Sequence, residues 1–483
     1  MAELRYAGEY IVDVCELHAV SGAVIDMTEQ FSTISIFEDI FSNFITGSIS
    51  FVDTNNLLTN LPIIGQEKLL LKLTTPNGDD ISNRLSSIDF TDTPLYIYKV
   101  NNKSQVNDNT VAFSVSFTTG EAIRANRIRV AQSFDGEPSE DIVKKILRDE
   151  ELMNSKKEFY YELTNNNYKF VAPNMRPMEF INSVARRCLS KEYNNAPTFL
   201  FYETIKGFYF RTLDSMMDRK NPRFIYRELT PNTIPEGESR PNAAINLTNI
   251  LNYEVLPTTD VMLNMRKGMY ASKLTMIDLV NKTAQNVEYN YFDDFPEDTH
   301  ADAYNAYASV NAPLASQARD DFQNRLSDYS EAAIFMQAVD RDSPNGLFTS
   351  RYEGQYDYMG TDNWLQRRKG RFSSLDSAIT LRVEVPGNTT LQAGDLIGIE
   401  MRNQGILAED KKDPYFSGRY LVRKLRHEFS FAEGSPKHTV YLDCVRDTIK
   451  QPYPSIGIGY ADGGNSTEEI IPLGSESPND VSF

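Results

Sequence analysis

The sequence predicts an α+β protein that is mainly β: two small antiparallel β-barrels in one chain, an α+β module between them, a polar insert and an extended C-terminal arm. Three observations predict it. Apolar and polar residues alternate with a period of two near both ends of the 483-residue chain. The period turns helical in the middle. From about Gln451 onward, Pro, Gly, Ser and acidic residues dominate, and such a stretch cannot build a core.

Residues 1–125 are expected to form the first barrel. Ile45, Ile49 and Phe51 alternate with Thr46, Ser48 and Ser50, and Val111, Phe113, Val115 and Phe117 alternate with Ala112, Ser114, Ser116 and Thr118. One set faces a core and the other faces solvent. Weaker strand patterns fall at 9–17, 31–37, 67–74 and 95–100, with turn signals such as Pro76-Asn77-Gly78-Asp79 between them. Residues 126–244 form the α+β module. Ile142, Val143, Ile146 and Leu147 recur at helical spacing over 138–147, and Phe180, Ile181, Val184, Ala185, Cys188 and Leu189 do so over 177–189. Pro177 suits a first helical position. Two aromatic runs, 199–202 and 208–210, read as a hairpin turning across Lys206-Gly207.

Residues 245–290 and 376–449 are expected to make the second barrel. Ile379, Leu381, Val383 and Val385 oppose Thr380, Arg382 and Glu384, and strands follow at 396–401, 420–426 and 439–444. The polar insert spans 291–375 and is partly helical; Pro313 would allow a helix over 314–338. Residues 450–483 form the extended arm, which is expected to order against a neighbouring protein.

Composition excludes several functions. The net charge is −18, with 67 Asp+Glu against 49 Lys+Arg, so a specific nucleic-acid binder is a poor fit. Three cysteines, far apart and without CxxC, argue against a disulfide framework and a zinc site. The first residues lack a signal-peptide pattern, and no run approaches the ~18 apolar residues of a membrane span. The expectation is a soluble protein made in a reducing cytoplasm, with no membrane partner.

No motif assigns a catalytic, cofactor-binding or metal-ligating residue, so the expected cofactors are none. The four histidines, His18, His300, His427 and His438, lack ligand spacing. His427-Glu428 lacks the second His of HExxH, and His427 is expected at a strand edge. The stretch 340–346 has Pro at the fifth position of a would-be calcium loop, a late Gly and no closing Glu. The acidic run 293–298 reads as a solvated loop. Gly457, Gly459, Gly463 and Gly464 follow no strand–helix unit, and no GxSxG is present. A glycosidase-type carboxylate pair stays open, because its members need not adjoin in sequence.

Residues that shape the backbone carry more information. Val385-Pro386-Gly387 reads as a type II-like turn, Leu391-Gln392-Ala393-Gly394-Asp395 turns into the next strand, and Phe416-Ser417-Gly418-Arg419-Tyr420-Leu421-Val422 leads towards His427. Upstream, Phe170 to Pro177 precedes a helix, and a Phe-Tyr-Glu…Gly…Phe hairpin holds Tyr202 and Gly207. In this order, over about 30–445, these segments resemble the contractile-tail baseplate hub family. That family includes the T-even-type central hub, late-control tail proteins and the hub part of type VI secretion spikes. The absence of a C-terminal needle makes the unfused T-even-like form the nearer resemblance.

The resemblance implies a structural protein and not an enzyme. It implies a homotrimeric ring whose two barrels per chain imitate six-fold symmetry. Its partners would be a hexameric tail tube, a trimeric spike or needle and baseplate wedge proteins, and DNA would pass through its channel at ejection. It implies a virion location in the tail baseplate, after assembly in the host cytoplasm. Pro177, Tyr202, Gly207, Pro386, Gly387, Gly394, Asp395, Gly418, Tyr420 and His427 would be structural marker residues. The alternatives are the hub of a related injection or type VI-like system, a tail-associated cell-wall hydrolase and a receptor-binding module.

Overall fold

The computed structural model describes residues 7–449, apart from 54–64, 76–85, 108–109, 166, 230–245, 257–259, 280–281, 303–311, 314–320, 340–359, 377–378, 404–411, 414 and 433–434. The C-terminal arm and the calcium-like stretch at 340–346 lie outside the described residues, as do the late glycines.

The chain is mainly β with an α+β middle, as expected. Its centre is a sheet of 14 strands. The hydrogen-bonded path runs Asn252–Leu256, Ile379–Pro386, Ser435–Arg446, Gly418–Ala432, Phe31–Asp39, Thr46–Asp53, Thr110–Thr119, Leu95–Asn107, Lys68–Thr75, Ile11–His18 and Val24–Asp26. Ser86–Asp89, Leu396–Glu400 and Ile225–Arg227 branch from it. The expected barrels therefore differ from the observed arrangement. No closed barrel forms among the described residues, and the two β units share one sheet. Its seam is antiparallel, with Lys424 opposite Asp39 through Ser430 opposite Thr33. Alternation in a sequence fixes which face is buried; it does not fix which strand an edge pairs with.

Each unit keeps its own apolar core. Cys15, Ile34, Ile36, Ile49, Leu69, Leu71, Val115 and Phe117 pack together on the first side, joined by Phe429 from across the seam. Leu381, Val383, Val385, Ile397, Tyr420, Val440 and Leu442 pack on the second. Fully burying each such side chain stabilises by roughly 1.5–3 kcal/mol before entropy is counted. The middle module packs helices Ser139–Arg148 and Pro177–Ala185 against the hairpin strands Leu200–Thr204 and Gly207–Arg211. A bridging cluster of Ile40, Leu200, Tyr202, Leu213, Met216, Leu421 and Val445 joins the module to the sheet.

Two further expectations are corrected. Ala271–Asp278 and Thr283–Asn290, assigned to the second barrel, form instead a separate three-stranded sheet with Ile334–Val339. Of the helix allowed over 314–338, residues 314–320 lie outside the described residues, and the rest is replaced by that strand and by short 3-10 turns at Leu326–Asp328 and Ser330–Ala332. Ile334, Phe335, Met336 and Val339 favour a strand, and the register against Lys273–Asp278 outweighs the local allowance for helix. The insert is helical over Leu365–Asp376.

Candidate functional site

The marker residues collect at three buried contacts around the seam rather than at one cleft. The first contact is centred on Glu38. Ile34, Ile36 and Glu38 share one parity of their strand, so the carboxylate enters the interior. It accepts hydrogen bonds from the N–H of Ile205 at 2.8 Å and of Ala393 at 2.8 Å, clamping the hairpin turn and the 391–395 turn to the seam. Burial raises its pKa to about 8 against the pull of those donors, and Asp395 and Glu203 add to the rise. Gly394 sits at φ +83°, and a Cβ there would lie closer than 3 Å to Tyr202 Oη and Arg211. Arg211 donates to Tyr202 Oη at 2.8 Å and to the Gly394 carbonyl at 3.1 Å. Asp395 is fully buried and meets Arg223 at 2.7 Å and Arg219 at 3.5 Å. Gly207 closes the hairpin against the backbone of Glu158.

The hairpin's Glu203 points the other way. It accepts from the Ile45 N–H at 3.0 Å and Thr119 Oγ1 at 2.9 Å, and it pairs with Lys157, which also reaches Glu121 at 2.9 Å. Burial raises the Glu203 pKa and Lys157 opposes the rise. Glu38 and Glu203 thus tie the module to both β units.

At the second contact, His427 Nδ1 lies 3.1 Å from His438 Nε2, and both rings are buried. This corrects the strand-edge expectation. His427 faces Ile36 across the seam and Val440 on its other side, in mid-sheet. Burial lowers its pKa to about 3 and pushes His438 well below the usual imidazole value. Two neutral rings can share a proton donor, whereas two charged ones would be buried at one spot. Gly387 is needed here because a Cβ would strike the His438 ring. Its φ is not positive, so the type II-like turn expected at Pro386-Gly387 gives way to close approach. Pro386 ends the strand Ile379–Pro386.

At the third contact, Arg446 lies across Gly418, donates to the Ser417 carbonyl at 3.0 Å and sits 5.1 Å from the Tyr420 ring. Tyr420 Oη donates to the Phe416 carbonyl at 2.8 Å. Pro177 stands apart from all three, at the first turn of its helix.

Sequence reasoning missed a larger cluster. Arg371 of the Leu365–Asp376 helix meets Asp447 at 3.0 Å, Asp298 at 3.3 Å and Asp214 at 3.7 Å, all nearly fully buried. His300 reaches Asp447 at 2.7 Å and the Phe295 carbonyl at 2.8 Å. Burial alone would raise the Asp447 pKa, yet His300 and Arg371 hold it well below the carboxylate range. Asp298, expected in a solvated loop, is buried because Arg371 and Arg367 claim it. These side chains tie the insert to the module and to the end of the Ser435–Arg446 strand. Among the described residues, no group of three His, Cys, Asp or Glu is placed to hold a metal.

No family model matches the chain. A probable baseplate hub protein of Vibrio phage KVP40 is 20% identical over 438 residues, covering 88% of this chain and 93% of that protein. The chain is similar to this baseplate hub protein over most of its length. This match bears out the resemblance read from the marker segments. Solved structures similar to this chain include a tail protein from Neisseria meningitidis MC58, at TM-score 0.49 and 10% identity, covering 91% of this chain and 97% of that one. Another is the 43 kDa tail protein of prophage MuSo2 from Shewanella oneidensis, at TM-score 0.46 and 9% identity, covering 90% and 98%.

Proposed function

We propose that the chain is the central hub of a contractile-tail baseplate in the virion: a homotrimeric ring that adapts a hexameric tail tube to a trimeric spike and lets DNA pass. The observation that carries this reading is the seam. Two β units lie side by side in one sheet, joined by an unbroken ladder from Lys424–Asp39 to Ser430–Thr33. Three chains so built would present six β units to a six-fold partner. Asn252–Leu256 and Val24–Asp26 end the sheet path among the described residues, so their outer edges offer templates for pairing with the next copy. In this reading residues 1–125 and the second β unit face the tube together, and the module of 126–244 braces them. Assembly in the host cytoplasm and contacts with wedge proteins belong to the same proposal.

The solvent face of the sheet suits a wall along which DNA slides. Thr33, Ser48, Ser50, Ser114 and Ser116 adjoin there. Lys424 pairs with Asp39 at 3.1 Å, Arg426 with Glu428 at 3.0 Å and Arg382 with Asp443 at 3.1 Å. Cations already held by carboxylates release fewer counterions to a passing phosphate backbone. Lys68, Lys99 and Lys437 also lie on this face, and no carboxylate partner is found for them among the described residues. The test is native mass measurement of the purified chain, alone and with its spike, followed by imaging of the ring. A trimer with a bore is expected. A chain that stays monomeric in both conditions rejects the proposal.

A further inference from the structure

Outside the central sheet, the small sheet formed by Thr283–Asn290, Ala271–Asp278 and Ile334–Val339 carries an uncovered apolar stripe. Pairing places Ile334 beside Lys273, Met336 beside Thr275 and Ala338 beside Ile277 on one face. Met336 is 74% exposed, Leu279 72%, Ile334 50% and Ile277 36%. Isolated exposed apolar residues are ordinary, but four along one strand pair form a patch. Ile334–Val339 is also the last strand of its sheet, so its outer backbone edge is open among the described residues. Basic groups flank this edge. Lys369 Nζ lies 3.9 Å from the Phe335 ring centroid, and Lys267 is near enough to depress the Lys369 pKa alongside burial.

The chain itself contains a segment of matching chemistry. The 33 residues after Lys450 carry five carboxylate side chains and no Lys or Arg. Within them, Glu468-Glu469-Ile470-Ile471-Pro472-Leu473 puts Ile471 and Leu473 on one face of an extended strand. Pro472 would turn its missing N–H outwards, which only an edge strand tolerates. The last described strand ends at Ile449, and at roughly 3.3 Å per residue the intervening chain does not limit reach.

We propose that the segment around Glu468–Leu473 docks on the open edge and apolar face of the Ile334–Val339 strand, adding a strand to the small sheet. Ile471 and Leu473 cover Ile334 and Met336, and Glu468, on the opposite face of the strand, approaches Lys369 beside Phe335. The arm thereby fastens the insert, in its own chain or in a neighbouring copy. The inference does not rest on the hub reading.

The test is a cysteine pair in the full-length chain, Met336→Cys with Ile471→Cys. The native thiols Cys15, Cys188 and Cys444 are all buried and leave a clean background. The control pairs Ile471→Cys with Val171→Cys, an equally accessible site on another sheet. Under mild oxidation the 336–471 pair should form at least about tenfold faster than the control, as docking raises effective concentration. Migration as monomer or as dimer on a non-reducing gel assigns the segment to its own chain or to a neighbour. Equal rates for the two pairs overturn the proposal. As a second measurement, ending the chain at Lys450 should raise amide hydrogen exchange in 334–339 at least severalfold. Unchanged exchange there, in a chain whose central sheet stays protected, also overturns it.

Discussion

Two buried polar clusters lie at opposite ends of the strand Ser435–Arg446, and they are stabilised in opposite ways. Near its start, His438 and His427 are packed as neutral rings, with a stacked Phe429 at 4.0 Å and no carboxylate at their nitrogens. Just beyond its end, Asp447 is packed as a charged group against Arg371 and His300. Burial alone favours the uncharged form in both places. It prevails at the histidines, whose partners are each other, the Leu391 backbone and Thr75, whose Oγ1 is 3.4 Å from His438. It loses at Asp447, where the Arg371 cation and the His300 ring stand within hydrogen-bonding distance. Whether a buried group is ionised thus depends on its partners more than on its depth.

The largest effect is expected from breaking the charged cluster. Arg371→Met leaves Asp214, Asp298 and Asp447 buried with reduced compensation. Removing one partner of a buried ion pair costs roughly 3–5 kcal/mol. Denaturant titration should show that loss, and Asp447→Asn in the same chain should return part of it.

Acid should separate the two clusters. Both His427 and His438 bind protons less readily folded than unfolded, so stability falls as pH drops below the unfolded value of 6.5 and levels off only near the folded value of about 3 for His427. The slope approaches about 1.4 kcal/mol per pH unit for each ring. The Asp447 contribution, from a folded pKa below the unfolded 3.8, is lost only at pH below about 4. His427→Gln should therefore flatten the stability profile between pH 6.5 and 4 and leave the steeper acid limb in place. An unchanged slope above pH 4 would show that the rings titrate freely.

Gly387→Ala tests the packing of the neutral pair without touching charge. The added methyl meets the His438 ring, and overpacking of this kind costs about 1–3 kcal/mol. The loss should appear equally at pH 7 and at pH 5, unlike that of His427→Gln.

What the sequence made legible follows from these contacts. Strands with clean alternation, such as Thr110–Thr119 and Ile379–Pro386, fall where the period places them. The hairpin at Lys206-Gly207 does too. Glu38 was legible in principle: it is a carboxylate at an inward position after Ile34 and Ile36, and an inward charge in an alternating strand asks for buried donors. The seam was not legible, because edge pairing between residues nearly 400 positions apart leaves no local pattern. Nor was Arg371, one of four cations in the helix segment Leu-Gln-Arg-Arg-Lys-Gly-Arg. Nothing local distinguishes the one that is fully buried from the three that are partly exposed.

The smallest expected effect on stability bears most directly on function. On the solvent face of the seam, Lys424 and Arg426 are neutralised by Asp39 and Glu428. Lys424 is about half exposed and Arg426 more than a third, and ion pairs at such sites contribute only about 0–1 kcal/mol. Asp39→Asn with Glu428→Gln should therefore leave the unfolding midpoint almost unchanged. The same change would free two cations per chain beside the Ser/Thr surface. If that face lines the DNA path, each freed cation adds a phosphate contact, and affinity for duplex DNA should rise and become steeply salt-dependent. The comparison to make is filter binding of wild type and double variant at low and physiological salt. A double variant that gains no DNA affinity, in a ring shown to assemble, would place this face on the outside of the ring.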